Sequence, residues 1–158
     1  MANATKFVSL ERFIQEKGFG KDFLLFLDST MVRVWWLNPQ KKEEVRRAID
    51  GLGCGAFLSE EEKGELRLNF NRRYYGDDIY LLKTGYNIFP NFISWLKPHA
   101  MHAYHPEDRT QQGIFMFEGK AHNIHKEGAI RLVELAPTIL DLLGLDIPGH
   151  YEAKSLLR

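Results

Sequence analysis

The spacing of hydrophobic residues alternates between a helical and a strand period in the first part of the chain. In residues 9–17 ("SLERFIQEK") the apolar side chains recur on one helical face, and Gly18 is a suitable stop. Two short runs follow, at 23–27 and 31–37, and both are rich in aromatic and branched aliphatic residues. Because only "DST" separates these runs, they predict two strands joined as a hairpin.

The central part of the chain predicts two further helices and a strand. Residues 41–53 ("KKEEVRRAIDGLG") have the pattern of an amphipathic helix closed by glycines. Ser59 and Glu62 have the spacing of a capping box, which predicts the start of a short helix. A strand is predicted near 78–83, before a Gly-Tyr turn.

The C-terminal part predicts one strand and one helix. Residues 113–119 ("GIFMFEG") form an apolar run bounded by glycines, which is typical of a buried strand. In the last helix Pro137 suits the first turn and Gly144 the stop. Its buried face is predicted to be Ile139, Leu140, Leu142 and Leu143. This mixture of helices and strands predicts an α/β or α+β fold.

Composition narrows the classes of function. The chain has 158 residues, and its 21 basic and 21 acidic side chains cancel. A neutral chain lacks the basic excess of a protein that binds nucleic acid or an anionic membrane, so neither a nucleic-acid polymer nor an anionic membrane surface is expected as a partner. One cysteine excludes an internal disulfide and a cysteine-based zinc site. No segment has the roughly 20 apolar residues that a membrane span requires.

Residues 97–115 ("KPHAMHAYHPEDRTQQGIF") contain three histidines, His99, His102 and His105, at every third position. They could form a local metal site or lie in a polar loop. A catalytic zinc needs three protein ligands, and a loop bracketed by prolines would have to coil tightly to supply them all. The spacing therefore favours the polar loop.

Four segments resemble one enzyme family. "MHAYHPEDRTQQGIFMFEG" (101–119) resembles the late Met-His-Gly-Tyr-x-Pro segment of the type I phosphodiesterase/nucleotide pyrophosphatase family, in the alkaline phosphatase superfamily. "ELAPTILDLLGLDIPGHYEAKSLL" (134–157) resembles the closing helix and tail that this family shares with sulfatases and cofactor-independent phosphoglycerate mutases. "DSTMVRVWWLN" (28–38) and "GDDIYLLKTGYNIFPNF" (76–92) are similar to segments between the family's central metal motif and its late histidine.

The resemblance implies a metal-dependent hydrolase. Members of the family hold two metal ions, usually zinc, and use a Thr or Ser nucleophile that forms a covalent intermediate. Residue-by-residue matching makes His102 a metal ligand, with Ala103 standing where the family usually has glycine. His99 and His105 match no ligand position. The remaining histidines are predicted to be surface residues: His122, His125 and His150.

Much of the family's catalytic apparatus has no counterpart in the chain. The Ser-Asp-His-Gly metal motif and the nucleophile segment are not present. Thr30 matches a position that is not the nucleophile, and we expect it in a hairpin turn. Asp77 and Asp78 are predicted to be solvated turn residues. No catalytic residue is therefore assigned, and enzymatic activity of the chain alone is not expected.

The resemblance also implies a division of the chain and a set of partners. Residues 1–22 would be a remnant of the α/β core, 23–96 a small α+β lobe, and 97–158 the C-terminal part of an alkaline-phosphatase-like core. The expected partners are the missing N-terminal catalytic half or a second copy of the chain, with a phosphodiester as the small-molecule substrate of the parent enzyme. Zinc or another divalent metal belongs to the complete enzyme. The alternative is a non-catalytic α+β module that oligomerises or binds a partner.

The aromatic residues of the lobe leave two interpretations open. They could line a substrate entrance or form the core. Trp35 and Trp36 are consecutive, so on a strand they point to opposite faces and only one of them is expected to be buried. Substrate-binding residues, the substrate itself and the localisation are not assigned from the sequence.

Overall fold

The computed structural model describes residues 1–117 and 128–157. The chain divides into two compact units, Met1–Gly113 and Ile114–Arg158. Helices and strands occur together, which confirms the predicted mixed α/β class. The division at residues 22 and 96 stays a prediction.

The described residues form eight short strands and five α-helices. In chain order they are β1 (Ala2–Asn3), β2 (Lys6–Val8), α1 (Leu10–Lys17), β3 (Phe23–Leu27), β4 (Met31–Trp36), α2 (Lys42–Asp50), β5 (Gly55–Phe57), α3 (Glu60–Glu65), α4 (Arg72–Tyr75), β6 (Asp78–Leu82), β7 (Tyr86–Ile88), β8 (Ala100–Met101) and α5 (Leu135–Leu142). Single 3₁₀ turns lie at Pro39–Lys41, Arg109–Gln111 and Leu132–Glu134. No helix of the described part of the chain is long and apolar enough to cross a membrane.

A four-stranded antiparallel sheet is the centre of the first unit. Its strand order is β3-β4-β6-β5. The predicted hairpin is confirmed, since β3 and β4 pair with Phe23 opposite Trp36 and the Asp28 amide donates to the Met31 carbonyl at 3.0 Å. Side chains alternate between the two sheet faces. One face packs against α1 and α2 in a core made of Leu10, Ile14, Phe23, Leu27, Val32, Val34, Val45, Ile49, Cys54, Phe57, Tyr80, Leu82 and Ile88.

The predicted helix boundaries of the first unit agree with the structure. Gly18 ends α1 in the left-handed conformation, with φ of +72°, which glycine adopts without steric cost. The capping box is present: the Glu62 amide donates to Ser59 Oγ at 3.1 Å, and the Ser59 amide donates to the Glu62 carboxylate at 2.7 Å. Both features depend on neighbours in sequence, so the local pattern was sufficient to predict them.

Two small strand pairs join distant parts of the first unit. β2 lies parallel to β7, with Phe7 opposite Asn87, and β1 lies antiparallel to β8. The Ile88 amide donates to the carbonyl of Ser29 in the hairpin turn at 2.8 Å. These bonds bring the segment after β8 close to the β3–β4 turn.

The buried strand predicted at 113–119 is wrong over its described part. Residues 113–117 have no regular secondary structure, and the side chains of Ile114 and Met116 are exposed. An apolar run forms a buried strand only where a sheet edge is available to pair with it, and the sequence does not show this. Residues 118–119 lie outside the described residues.

The predicted buried face of the last helix is also wrong. Pro137 and Thr138 are buried, whereas Ile139 and Leu143 are exposed and Leu140 and Leu142 are half-buried. The Thr138 hydroxyl accepts a hydrogen bond from the Leu156 amide at 3.0 Å, so the tail covers this side of the helix. Pro137 does lie in the first turn, and Gly144 follows the helix with φ of +65°, as predicted.

Candidate functional site

His102 lies in a short loop that follows β8 in the first unit. Its side chain is exposed to solvent, and so is that of His99. His105 is half-buried, and its Nδ1 lies 4.0 Å from a carboxylate oxygen of Glu107. Within the described residues no group of three or more His, Cys, Asp or Glu side chains is arranged to hold a metal ion.

The backbone beside His102 is fixed by two buried side chains. Ala103 has φ of +66°, in the left-handed region where an alanine is strained. Thr30 is 1% exposed, and its Oγ1 donates to the Ala103 carbonyl at 2.7 Å. Tyr104 is buried, and its hydroxyl donates to the Tyr86 carbonyl at 2.8 Å. His102 thus extends into solvent from a backbone anchored on both sides of the loop.

Burial changes the acidity of the Tyr104 hydroxyl. Removing the phenol from water disfavours its charged form and raises its pKa above the ordinary value. The hydroxyl therefore stays protonated at neutral pH and keeps its hydrogen bond to the Tyr86 carbonyl.

Thr30 lies in the hairpin turn, as predicted. Its backbone carbonyl accepts from the Leu82 amide at 2.9 Å, while its hydroxyl is used as the donor to Ala103. The sequence did not indicate this second contact, because it joins residues 73 positions apart.

Asp78 is not the solvated turn residue that the sequence predicted. It is the first residue of β6 and is 2% exposed. Three cationic groups surround its carboxylate: Lys42 Nζ at 3.0 Å, Arg46 Nη1 at 2.9 Å and Lys63 Nζ at 3.5 Å. The indole of Trp36 also donates to it, at 2.8 Å. The prediction failed because these partners are supplied by α2, α3 and β4, not by the sequence around Asp78.

The ionised form of Asp78 is stabilised in spite of burial. Burial alone raises the pKa of this carboxyl, but the hydrogen bonds from Lys42 and Trp36 and the charge of Arg46 outweigh it and lower the pKa below the ordinary value. Lys63 is itself buried and also bonds to the Asp77 carbonyl at 3.0 Å and to Glu60 at 2.9 Å. This cluster is an internal electrostatic contact that joins two helices to the sheet.

Asp77 also has a structural partner and is not simply solvated. It is half-buried, and its Oδ2 accepts from the Trp36 amide at 2.9 Å. This bond joins β4 to the start of β6, so the sequence around Asp77 does not show it.

The aromatic residues of the lobe differ in their surroundings. Trp35 and Trp36 point to opposite faces as predicted, but both are half-buried, and the Trp35 indole donates to the Arg72 carbonyl at 2.9 Å. Tyr75 and Phe26 enclose the guanidinium of Arg33, at 4.9 and 4.3 Å from its carbon. His150 is exposed as predicted, whereas His122 and His125 lie outside the described residues.

Comparison with known proteins gives no family assignment. No protein-family model matches the sequence, and no curated protein matches it significantly.

Proposed function

We propose that the chain is the C-terminal portion of a metal-dependent phosphodiesterase or nucleotide pyrophosphatase-like hydrolase. In this proposal His102 is one metal ligand and residues 23–96 form a lobe that faces the substrate. Zinc, or another divalent ion, and a phosphodiester substrate belong to the complete enzyme. The chain by itself does not hydrolyse phosphodiesters.

The conformation of Ala103 is the observation that supports this proposal best. Its φ of +66° lies in the region that glycine adopts most easily, and glycine is the residue that the family usually has after the late histidine. Thr30 and Tyr104 hold this backbone while His102 stays accessible. A metal ligand needs such an arrangement, because its backbone must be fixed and its imidazole nitrogen free.

The proposal requires further ligands from elsewhere. A catalytic zinc needs about three protein ligands, and a single imidazole binds too weakly to hold it. In the proposed enzyme the additional Asp and His ligands and the nucleophile come from another polypeptide or another segment. The product of a neighbouring upstream reading frame is the first candidate to test.

The experiment measures bound zinc and hydrolysis of bis(p-nitrophenyl) phosphate by the chain alone and by its mixture with the upstream gene product. We expect stoichiometric zinc and activity only in the mixture. His102→Ala should abolish both, while His99→Ala, which removes another exposed histidine of the same stretch, should leave both unchanged. Hydrolysis by the chain alone, or activity that survives His102→Ala, would show the proposal to be wrong.

The exposed apolar side chains of the second unit favour one alternative, a non-catalytic module that self-associates. Leu132, Ile139 and Leu143 are all exposed there. Such side chains often mark a surface that another protein covers. A concentration-dependent increase in mass by light scattering, with neither zinc nor activity in the mixture, would support this alternative.

A further inference from the structure

Residues Phe92–Lys97, between β7 and β8, form a loop with a high density of exposed apolar side chains. We call it the aromatic loop. Trp95 is 97% exposed and Leu96 is 80% exposed, so these two side chains make few contacts with the described part of the chain. Phe92 and Ile93 are also mostly exposed. Contiguous exposed hydrophobic residues of this kind usually mark an interaction site.

The aromatic loop is held in place by the strands beside it. The side chain of Asn91 accepts from the amides of Ile93 and Ser94, at 2.9 and 2.7 Å, and donates to the Ile88 carbonyl at 2.7 Å. The Phe92 amide donates to the Leu27 carbonyl on β3 at 3.0 Å. Since the backbone is anchored on both β3 and β7, the outward position of the apolar side chains belongs to the fold.

The segment of chain that carries the aromatic loop contains no acidic residue. Residues 79–106 contain no Asp or Glu, although the whole chain has 21 acidic residues. Lys97 lies over the rings of Phe7 and Phe89, at 5.0 and 5.9 Å from their centroids. No carboxylate of the described residues forms a salt bridge with it. Although the chain as a whole is neutral, a protruding apolar tip beside a lysine with no carboxylate partner in the described part of the chain is locally complementary to an anionic lipid surface.

We propose that the aromatic loop inserts into the surface of an anionic lipid bilayer and anchors the protein peripherally. Tryptophan is favoured at the boundary between headgroups and acyl chains, and lysine is attracted to anionic headgroups. A second copy of the chain is a less suitable occupant, because a stable dimer buries about 800 Å² per partner, more than one short loop supplies. A bilayer needs no matching shape. This proposal is independent of the phosphodiesterase assignment.

The test uses the full chain with vesicles of phosphatidylcholine, either pure or containing about one third phosphatidylglycerol. Co-sedimentation measures binding. The difference in tryptophan fluorescence between the unmodified chain and Trp95→Phe, which retains Trp35 and Trp36, reports the environment of Trp95. We expect binding and a blue shift with the anionic vesicles only. The double variant Trp95→Ala/Leu96→Ala should bind about tenfold more weakly or worse, because each lost side chain removes apolar area from the bilayer. Lys97→Gln should weaken the preference for anionic lipid.

A matched control removes two exposed side chains elsewhere in the first unit, Leu37→Ala/Tyr74→Ala, and should bind as the unmodified chain does. Circular dichroism and denaturation check that each variant is folded. Absence of binding, or equal binding by the Trp95/Leu96 variant, would refute the proposal. So would a dimer, seen by light scattering without vesicles and lost in that variant, since the loop would then be a protein interface. The proposal would also be refuted if the upstream gene product shielded Trp95 from solvent and abolished vesicle binding, because the loop would then be an interface with that protein.

Discussion

Asp78 and His102 belong to the same unit but differ in their surroundings: the first is buried among charged partners, and the second is exposed. Asp78 is 2% exposed and surrounded by three cationic groups and an indole N–H. His102 is exposed, and the hydrogen bonds around it hold its neighbours and not its ring. The carboxylate of Asp78 is used in contacts within the fold, whereas the ring of His102 is exposed to solvent.

Family resemblance drew attention to His102, whereas only the folded structure shows the contacts of Asp78. A resemblance to a family assigns roles by position in the chain, and it selected His102 while assigning Asp78 to a solvated turn. The importance of Asp78 comes from α2, α3 and β4, which converge on β6 only after folding. A residue that is critical for stability and a residue that is available for binding therefore require separate tests.

The largest expected effect is at Asp78. Asp78→Asn removes the buried charge that Lys42, Arg46 and Lys63 share and leaves the buried Lys63 with only the exposed Glu60 as its counter-ion. We expect this to lower the free energy of unfolding by about 3 kcal/mol. His102→Ala removes an exposed side chain and should change this free energy by less than about 0.5 kcal/mol. Urea denaturation of both variants measures the contrast.

Lys42→Gln is a matched control for the Asp78 variant. Lys42 is the most exposed of the three cations, with 34% of its side chain accessible, so its removal should cost much less than Asp78→Asn. Equal stabilities of Asp78→Asn and His102→Ala would contradict the comparison, because Asp78 would then contribute no more than a surface residue.

A smaller effect is expected at Thr30, which connects the hairpin turn to the His102 loop. Thr30→Val keeps the shape of the side chain but leaves the Ala103 carbonyl without its donor, at a cost of about 1–3 kcal/mol. The amides of residues 103 and 104 should also exchange with solvent faster. Denaturation and hydrogen exchange measure the two effects, and Thr30→Ser, which retains the hydroxyl, is the control. Unchanged exchange in the valine variant would mean that this hydrogen bond does not hold the loop.

The elements predicted correctly are those specified by neighbouring residues. The helix ending at Gly18, the capping box of Ser59 and the hairpin around "DST" each depend on a few consecutive positions. The strand at 113–117 and the buried face of α5 were wrong because burial depends on the element that packs against a segment. Hydrophobic spacing gives the shape of an element but does not identify its partner.

For the candidate site, too, the sequence indicated local features and missed the contacts between residues far apart in the chain. The sequence indicated His102 and the substitution of alanine for glycine at position 103. It gave no sign that Thr30 and Tyr104 hold the loop, because those contacts join residues 73 and 18 positions apart. The exposure of Trp95 was missed for a related reason, since aromatic residues are core residues unless the fold leaves them uncovered.

The smallest expected change in the free energy of unfolding is at Ala103, and the test is whether glycine raises or lowers it. The left-handed backbone costs alanine about 1–2 kcal/mol relative to glycine, while glycine loses about 0.5–1 kcal/mol more conformational entropy on folding. Ala103→Gly should therefore leave stability unchanged or raise it by up to about 1.5 kcal/mol. Ala100→Gly, in the extended strand β8, is the matched control and should lower stability by about 0.5–1 kcal/mol, since no strain is relieved there. Thermal and urea denaturation of the pair give the comparison. If both glycines were equally destabilising, Ala103 would carry no left-handed strain in solution, and the structural argument for its equivalence to the family's glycine would fail.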